Sequence, residues 1–210
     1  MIIQSTKKIW CMLLFSVIFV ISGCGGGIIG LHAEQKPPLH EVKLGNFDSK
    51  IKISVPFELN TVKEPDMPES IRKYILGQEA YEGFNKIMAV QITNCCYNEK
   101  VLPREWKPSL EGAVDGAVNG MAKNSSISNF SSTRTPTVVT VISGNNKSPE
   151  FGVLTKQLYY DNKNKIPIEQ QTLFVTDGLS LWMVMAKYGQ NDEPARKLVD
   201  NILQTFAIIK

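Results

Sequence analysis

Two stretches of this chain repeat their apolar residues at helical spacing, and the segments around them alternate with a period of two. In residues 108–123, Leu110, Ala113, Val114, Ala117, Val118 and Met121 fall at i, i+3, i+4, i+7, i+8 and i+11, a single apolar stripe on a helix. Glu111, Asp115 and Asn119 lie on the wet side, and Ser109 is placed to cap the first turn. Residues 191–206 repeat the pattern with Ala195, Leu198, Val199, Ile202, Leu203 and Phe206. Asn191 or Asp192 caps that helix and Pro194 suits its first turn. Each stripe must be buried against something, and alternating strands supply the surface.

Residues 50–59 (KIKISVPFEL) set Ile51, Ile53, Val55, Phe57 and Leu59 on one face, the mark of a half-buried strand, with Pro56 pointing to an edge strand or a break there. Residues 61–70 form a polar, Pro-containing connector. Two further strands, 72–84 and 86–95, are expected to meet at a turn near Glu82-Gly83-Phe84-Asn85. Residues 124–136 read as a polar loop. Four strands then follow at 137–143, 151–161, 166–176 and 179–188. The loop 162–165 and the Asp177-Gly178 pair mark hairpins. Gly112, Gly116 and Gly120 recur every four residues in the first helix, which favours close packing on a sheet while lowering its intrinsic stability.

This order predicts an α+β domain, an antiparallel β-sheet with two amphipathic helices packed on it. It resembles the PsbP/Mog-type fold and, among bacterial members, the DcrB-like lipoproteins. The resemblance rests on KIKISVPFEL, on SLEGAVDGAVNGMAKN and on TLFVTDGLSLWMVMAKYGQNDEPARKLVDNILQTF. It spans most of residues 41–208 and lies in element order and hydrophobic pattern. The connector at 61–70 and the Cys95-Cys96 pair have no counterpart in it. The resemblance implies an α/β/α sandwich used as a binding or accessory module, with no catalytic residue set to carry over.

The amino terminus reads as a leader. Lys7 and Lys8 precede an uncharged apolar run from Ile9 to about Ile21, shorter than the roughly 18–20 residues of a spanning helix. Ile21-Ser22-Gly23-Cys24 then resembles the bacterial lipobox. That resemblance implies cleavage before Cys24, a diacylglyceryl thioether on it, and fatty acylation of the new amino terminus. An ordinary cleaved signal is one alternative; uncharged residues continue to Leu31, so an uncleaved anchor is another, and five glycines between Gly23 and Gly30 weigh against it. The expected organisation is a lipoprotein signal peptide at 1–23, a lipidated Cys24 with a Gly- and Pro-rich tether at 24–40, and one domain at 41–210. The protein would then be extracytoplasmic and held to a bacterial membrane.

Charge excludes little but points away from nucleic acid. Of 23 basic residues, Lys7 and Lys8 leave with the leader, so 21 face 20 acidic ones, with no basic run. Both histidines, His32 and His40, fall in the tether, so the domain is expected to lack Ser-His-Asp and Cys-His catalysis and His-rich metal sites. It carries no G-x-S-x-G, H-E-x-x-H, Walker A or G-x-G-x-x-G stretch. We therefore expect no enzyme, no cofactor and no metal. Glu64, Asp66 and Glu69 are spaced unlike an EF-hand and read as a solvated acidic loop. Cys95 and Cys96 are a possible redox pair. Neighbours on a strand point to opposite faces, so two buried thiols, a strained vicinal disulfide, and metal or intermolecular chemistry all stay open.

The positive feature is VLPREWKP at 101–108, where Arg104, Trp106 and Lys107 stand in a Pro-bounded loop before the first helix. Trp and Arg are enriched at binding hot spots, although Trp106 could equally cover the end of the core. Two functional readings follow. One is a lipid-anchored, non-catalytic accessory or binding protein of the cell envelope, acting through contacts with an envelope protein. The other is a small-ligand-binding lipoprotein with a pocket lined by Trp182, Tyr188 or Met183, serving a transporter or sensor. A carboxylate-based hydrolase is a third.

Overall fold

The computed structural model describes residues 37–47, 49–63, 69–102 and 107–210. They form one sheet of ten strands in the order β1-β2-β10-β6-β7-β8-β9-β5-β4-β3. The strands are β1 His40–Leu44, β2 Lys50–Val55, β3 Asn60–Thr61, β4 Ile75–Phe84, β5 Met88–Tyr97, β6 Ile127–Ser143, β7 Asn146–Asp161, β8 Ile166–Asp177, β9 Ser180–Gly189 and β10 Ala207–Ile209. The helices are α1 Glu69–Arg72, α2 Leu110–Ala122 and α3 Glu193–Gln204. Every pairing is antiparallel except that of β10 with β6. The chain is thus an α+β domain, a mostly antiparallel curled sheet with α2 on one face and α3 on the other.

The central strand β9 shows why both faces need a helix. Trp182, Val184, Ala186 and Tyr188 join Ala195, Leu198, Val199 and Ile202 of α3 in the inner core. Their neighbours Leu181, Met183 and Met185 join Ala113, Val114 and Ala117 of α2 on the outer face. A strand covered on both sides loses its polar alternation and reads as a near-continuous apolar run. The predicted caps hold. Ser109 Oγ accepts from the Gly112 amide at 3.0 Å, and Asp192 Oδ1 from the Ala195 amide at 2.9 Å.

Loops draw the curl together on the inner face. The β1–β2 loop crosses to β4, where an ideal Cβ at Gly77 would lie 1.9 Å from Phe47 Cζ. Only glycine lets that ring seat. From the same loop Ser49 Oγ accepts the Trp182 indole N–H at 2.7 Å.

Several expectations are corrected. Residues 124–136 are largely strand, because β6 begins at Ile127 and pairs with β7 along its length. The run of Ser and Thr hid this: β-branched Thr suits a strand whose side chains are mostly exposed. β4 ends at Phe84 as expected but starts at Ile75, because Arg72 closes the short helix α1, and the turn falls at Asn85, whose side-chain oxygen accepts from the Ile87 and Met88 amides. The hairpin loop after β8 is Gly178-Leu179, since Asp177 pairs with Ser180, and Gly178 takes φ +58°. The short strands β1, β3 and β10 and the one-turn helix α1 are absent from the expected order, and β3 and α1 take both ends of the connector expected at 61–70. His40 therefore opens β1 instead of ending a tether, and it is exposed there.

Candidate interaction surface

Several sequence-predicted residues, Cys24, Arg104, Trp106, Glu64 and Asp66, lie outside the described residues. Lys107 is exposed just before α2, and Glu69 is exposed at the start of α1. Cys95 and Cys96 are both thiols, each 4 % exposed, and not joined to each other. Cys95 lies in the outer core under α2, and the alternation of β5 turns Cys96 to the inner face. Among the described residues no three His, Cys, Asp or Glu side chains are grouped to hold a metal ion.

The side chains nominated for a ligand pocket are core instead. Trp182 and Tyr188 are both 0 % exposed and packed on α3, whereas Met183 faces α2.

Two buried carboxylates were missed by sequence reasoning, and both act as fasteners. Glu169 on β8 meets Lys156 Nζ at 2.9 Å. Arg196 grips it twice, Nη2 to Oε2 at 2.9 Å and Nε to Oε1 at 3.2 Å, and the Tyr188 hydroxyl donates to it. Burial works against the charged form of Glu169, but the hydrogen bonds from Tyr188, Lys156 and Arg196 outweigh it and hold its carboxyl below the usual range. The cluster fixes α3 to β7 and β8. Glu79 on β4 has, among the described residues, no cation within ion-pair reach. It accepts from the Asn46 amide at 2.9 Å, from Asn46 Nδ2, from the Tyr81 hydroxyl at 3.2 Å and from Asn94 Nδ2 at 3.3 Å. These bonds tie the β1–β2 loop across the sheet. Burial, with the Glu79 charge beside it, raises the Tyr81 pKa.

What remains for binding is surface, and it has two parts. The first is the end of the sheet around the β5–α2 connection. There Leu76 is 57 % and Val101 46 % exposed, with Lys107 on the same connection. Leu76 is displaced by a bulge, because Ile75 pairs with Tyr97 and Gly77 with Cys96. The Asn98 amide donates to the Tyr74 carbonyl at 2.9 Å, which holds the start of this connection against β4.

The second part is the outer face of β1, β2, β10 and the β6–β7 tip. The hairpin tip runs past the end of β8, whose last pairing with β7 is Val175 with Gly152. α2 packs on β6, β7 and β8 and on Leu181, Met183 and Met185 of β9, and among the described residues its core cluster includes none from β1, β2 or β10. Register sets Lys43, Lys52, Ala207, Thr140 and Pro149 in one outward row. Lys50, Ile209, Ile142 and Lys147 form the next. Val138 pairs with Phe151 on the same face, and they are 68 % and 54 % exposed.

No family model matches the chain, and no curated protein matches it in sequence. Its fold is similar to solved structures at low identity. Cyanobacterial PsbP (CyanoP) from Synechocystis sp. is 6 % identical with a TM-score of 0.46, covering 86 % of this chain and 98 % of that one. The Ran-binding protein Mog1p of Saccharomyces cerevisiae is 11 % identical with a TM-score of 0.42, covering 81 % and 95 %. LpqN of Mycobacterium tuberculosis, involved in cell envelope biogenesis, is 10 % identical with a TM-score of 0.39, covering 81 % and 91 %.

Proposed function

We propose that this chain is a lipid-anchored, non-catalytic accessory protein of the bacterial cell envelope that works by binding another envelope protein at its surface. One observation carries the choice of surface over pocket. Trp182, Tyr188 and Met183, the large side chains available to line a chamber, are spent on opposite faces of β9 as core. The lipobox-like Ile21-Ser22-Gly23-Cys24 supports the anchor, and Leu76, Val101 and Lys107 supply the contact surface at the β5–α2 end. Exposed apolar side chains are the material of a small interface core, and a cation on the same connection suits its polar rim.

In-cell photocrosslinking from position 101 tests this, comparing the native chain with Cys24→Ala. The expected result is one envelope protein captured in stoichiometric amount by the tethered chain and lost in Leu76→Asp. A purified chain carrying a bound small molecule and no crosslinked partner would overturn it.

A further inference from the structure

We infer that the bare outer face of β1, β2, β10 and the β6–β7 tip docks on an anionic lipid surface. The inference rests on the lipid-anchor reading for its geometry, while its chemistry comes from the side chains of these strands.

Charge comes first. Among the described residues the outward positions of these strands carry Lys43, Lys50, Lys52 and Lys147 against one acid, Glu41. Glu41 is itself engaged by Lys52 at 3.0 Å. The other nearby cation, Lys210, turns to the inner side, where Asp177 binds it at 2.9 Å. The lysines stand at the rim of the patch, on β1, β2 and β7. Between them, on β10 and β6, lie the half-buried Ile209, Thr140 and Ile142, with Ala207 sunk among them at 3 % exposure and the exposed Val138–Phe151 pair two residues further along the strands.

An apolar centre ringed by lysines suits a membrane interface. Apolar side chains enter the headgroup boundary while lysines meet anionic headgroups. Each lysine near such a surface contributes about 1 kcal/mol, or roughly five-fold in binding, and the effect fades within a Debye length. A second copy of this chain would bring the same lysines face to face, so self-pairing through this patch is disfavoured.

Position agrees with charge. β1 lies at the edge of the sheet, and Lys43 is on it. Fifteen residues separate Cys24 from His40, a span of at most about 55 Å even if fully extended. An anchor at Cys24 therefore keeps β1 and its outer face near the bilayer, where a weak attraction suffices to orient the domain.

The test places a reporter on the patch. The full chain carrying Phe151→Cys is reconstituted into vesicles of phosphatidylcholine alone or mixed with phosphatidylglycerol. Maleimide labelling is followed at residue 151 by peptide mass spectrometry, with Asn164→Cys, in the β7–β8 loop, as a control. Labelling at 151 should slow several-fold on the anionic vesicles only, recover in high salt, and recover in a chain also carrying Lys43→Glu and Lys50→Glu. Labelling at 164 should not change. Equal labelling of 151 on both vesicle types, with the protein still vesicle-bound, would overturn the inference. So would protection on neutral vesicles, or protection in concentrated protein without vesicles. The same spectra report whether Cys24 carries lipid. A chain without lipid that still shows charge-dependent protection at 151 would sink the anchor reading and leave the docking face standing.

Discussion

Replacing Glu169 by Gln keeps its shape and removes its charge, leaving Lys156 and Arg196 to face a neutral amide on β8. Breaking a buried ion pair by removing one partner costs about 3–5 kcal/mol. Here the Glu169 side chain is 1 % exposed, but those of Arg196 and Lys156 are 33 % and 42 % exposed. Both cations can recover hydration, and the amide oxygen still accepts one bond, so we expect a loss of about 2–3 kcal/mol. For a domain of this size that lowers Tm by about 4–12 °C. The loss should depend on pH. The folded-state pKa of Glu169 is depressed below its unfolded value of about 4.3, so its contribution is present above that pH. It is lost as pH falls through the folded pKa. Thermal melts from pH 7 to pH 3 should therefore show the two proteins converging at the acid end. Equal Tm values at pH 7, or a gap that persists unchanged to pH 3, would refute the claim that a charged Glu169 fastens α3.

Gly77→Ala should cost about 1–3 kcal/mol through overpacking, because its Cβ would clash with the edge of the Phe47 ring, 1.9 Å from Cζ; the guanidinium midpoint checks it, with an unchanged slope expected. Phe174→Ala, at 0 % exposure between β8 and α2, should cost about 3–5 kcal/mol by the same melts. Cys95 and Cys96 should both react as thiols in denaturant and label far more slowly in the native state, which timed alkylation reads directly. Leu76→Asp and Val101→Asp should each leave stability within about 0.5 kcal/mol while abolishing partner crosslinking.

The two long helices and the strands they cover were legible in the sequence because burial writes a period into it. Leu110 through Met121 and Ala195 through Ile202 each face one side of the sheet, and Ile51, Ile53 and Val55 alternate cleanly. β6 was illegible from Ile127 to Pro136 because most of its side chains are exposed and its order comes from pairing with β7. β10 was hidden for another reason: it is three residues long and exists only because β2 and β6 flank it. The bare outer face follows from register, which fixes Lys43, Lys52, Ala207, Thr140 and Pro149 in line across five strands, and no local pattern predicts that row. The Glu169 cluster joins residues 13 and 27 positions from the carboxylate, a contact that only the folded topology creates.

The accessory reading depends on where the chain is held, and the intact mass of the protein extracted from bacterial membranes addresses that most directly. The account predicts a chain that begins at Cys24 and carries a diacylglyceryl group together with an amino-terminal acyl chain, both absent from Cys24→Ala. An unmodified Cys24, or a mature chain that retains residues 1–23, would contradict it.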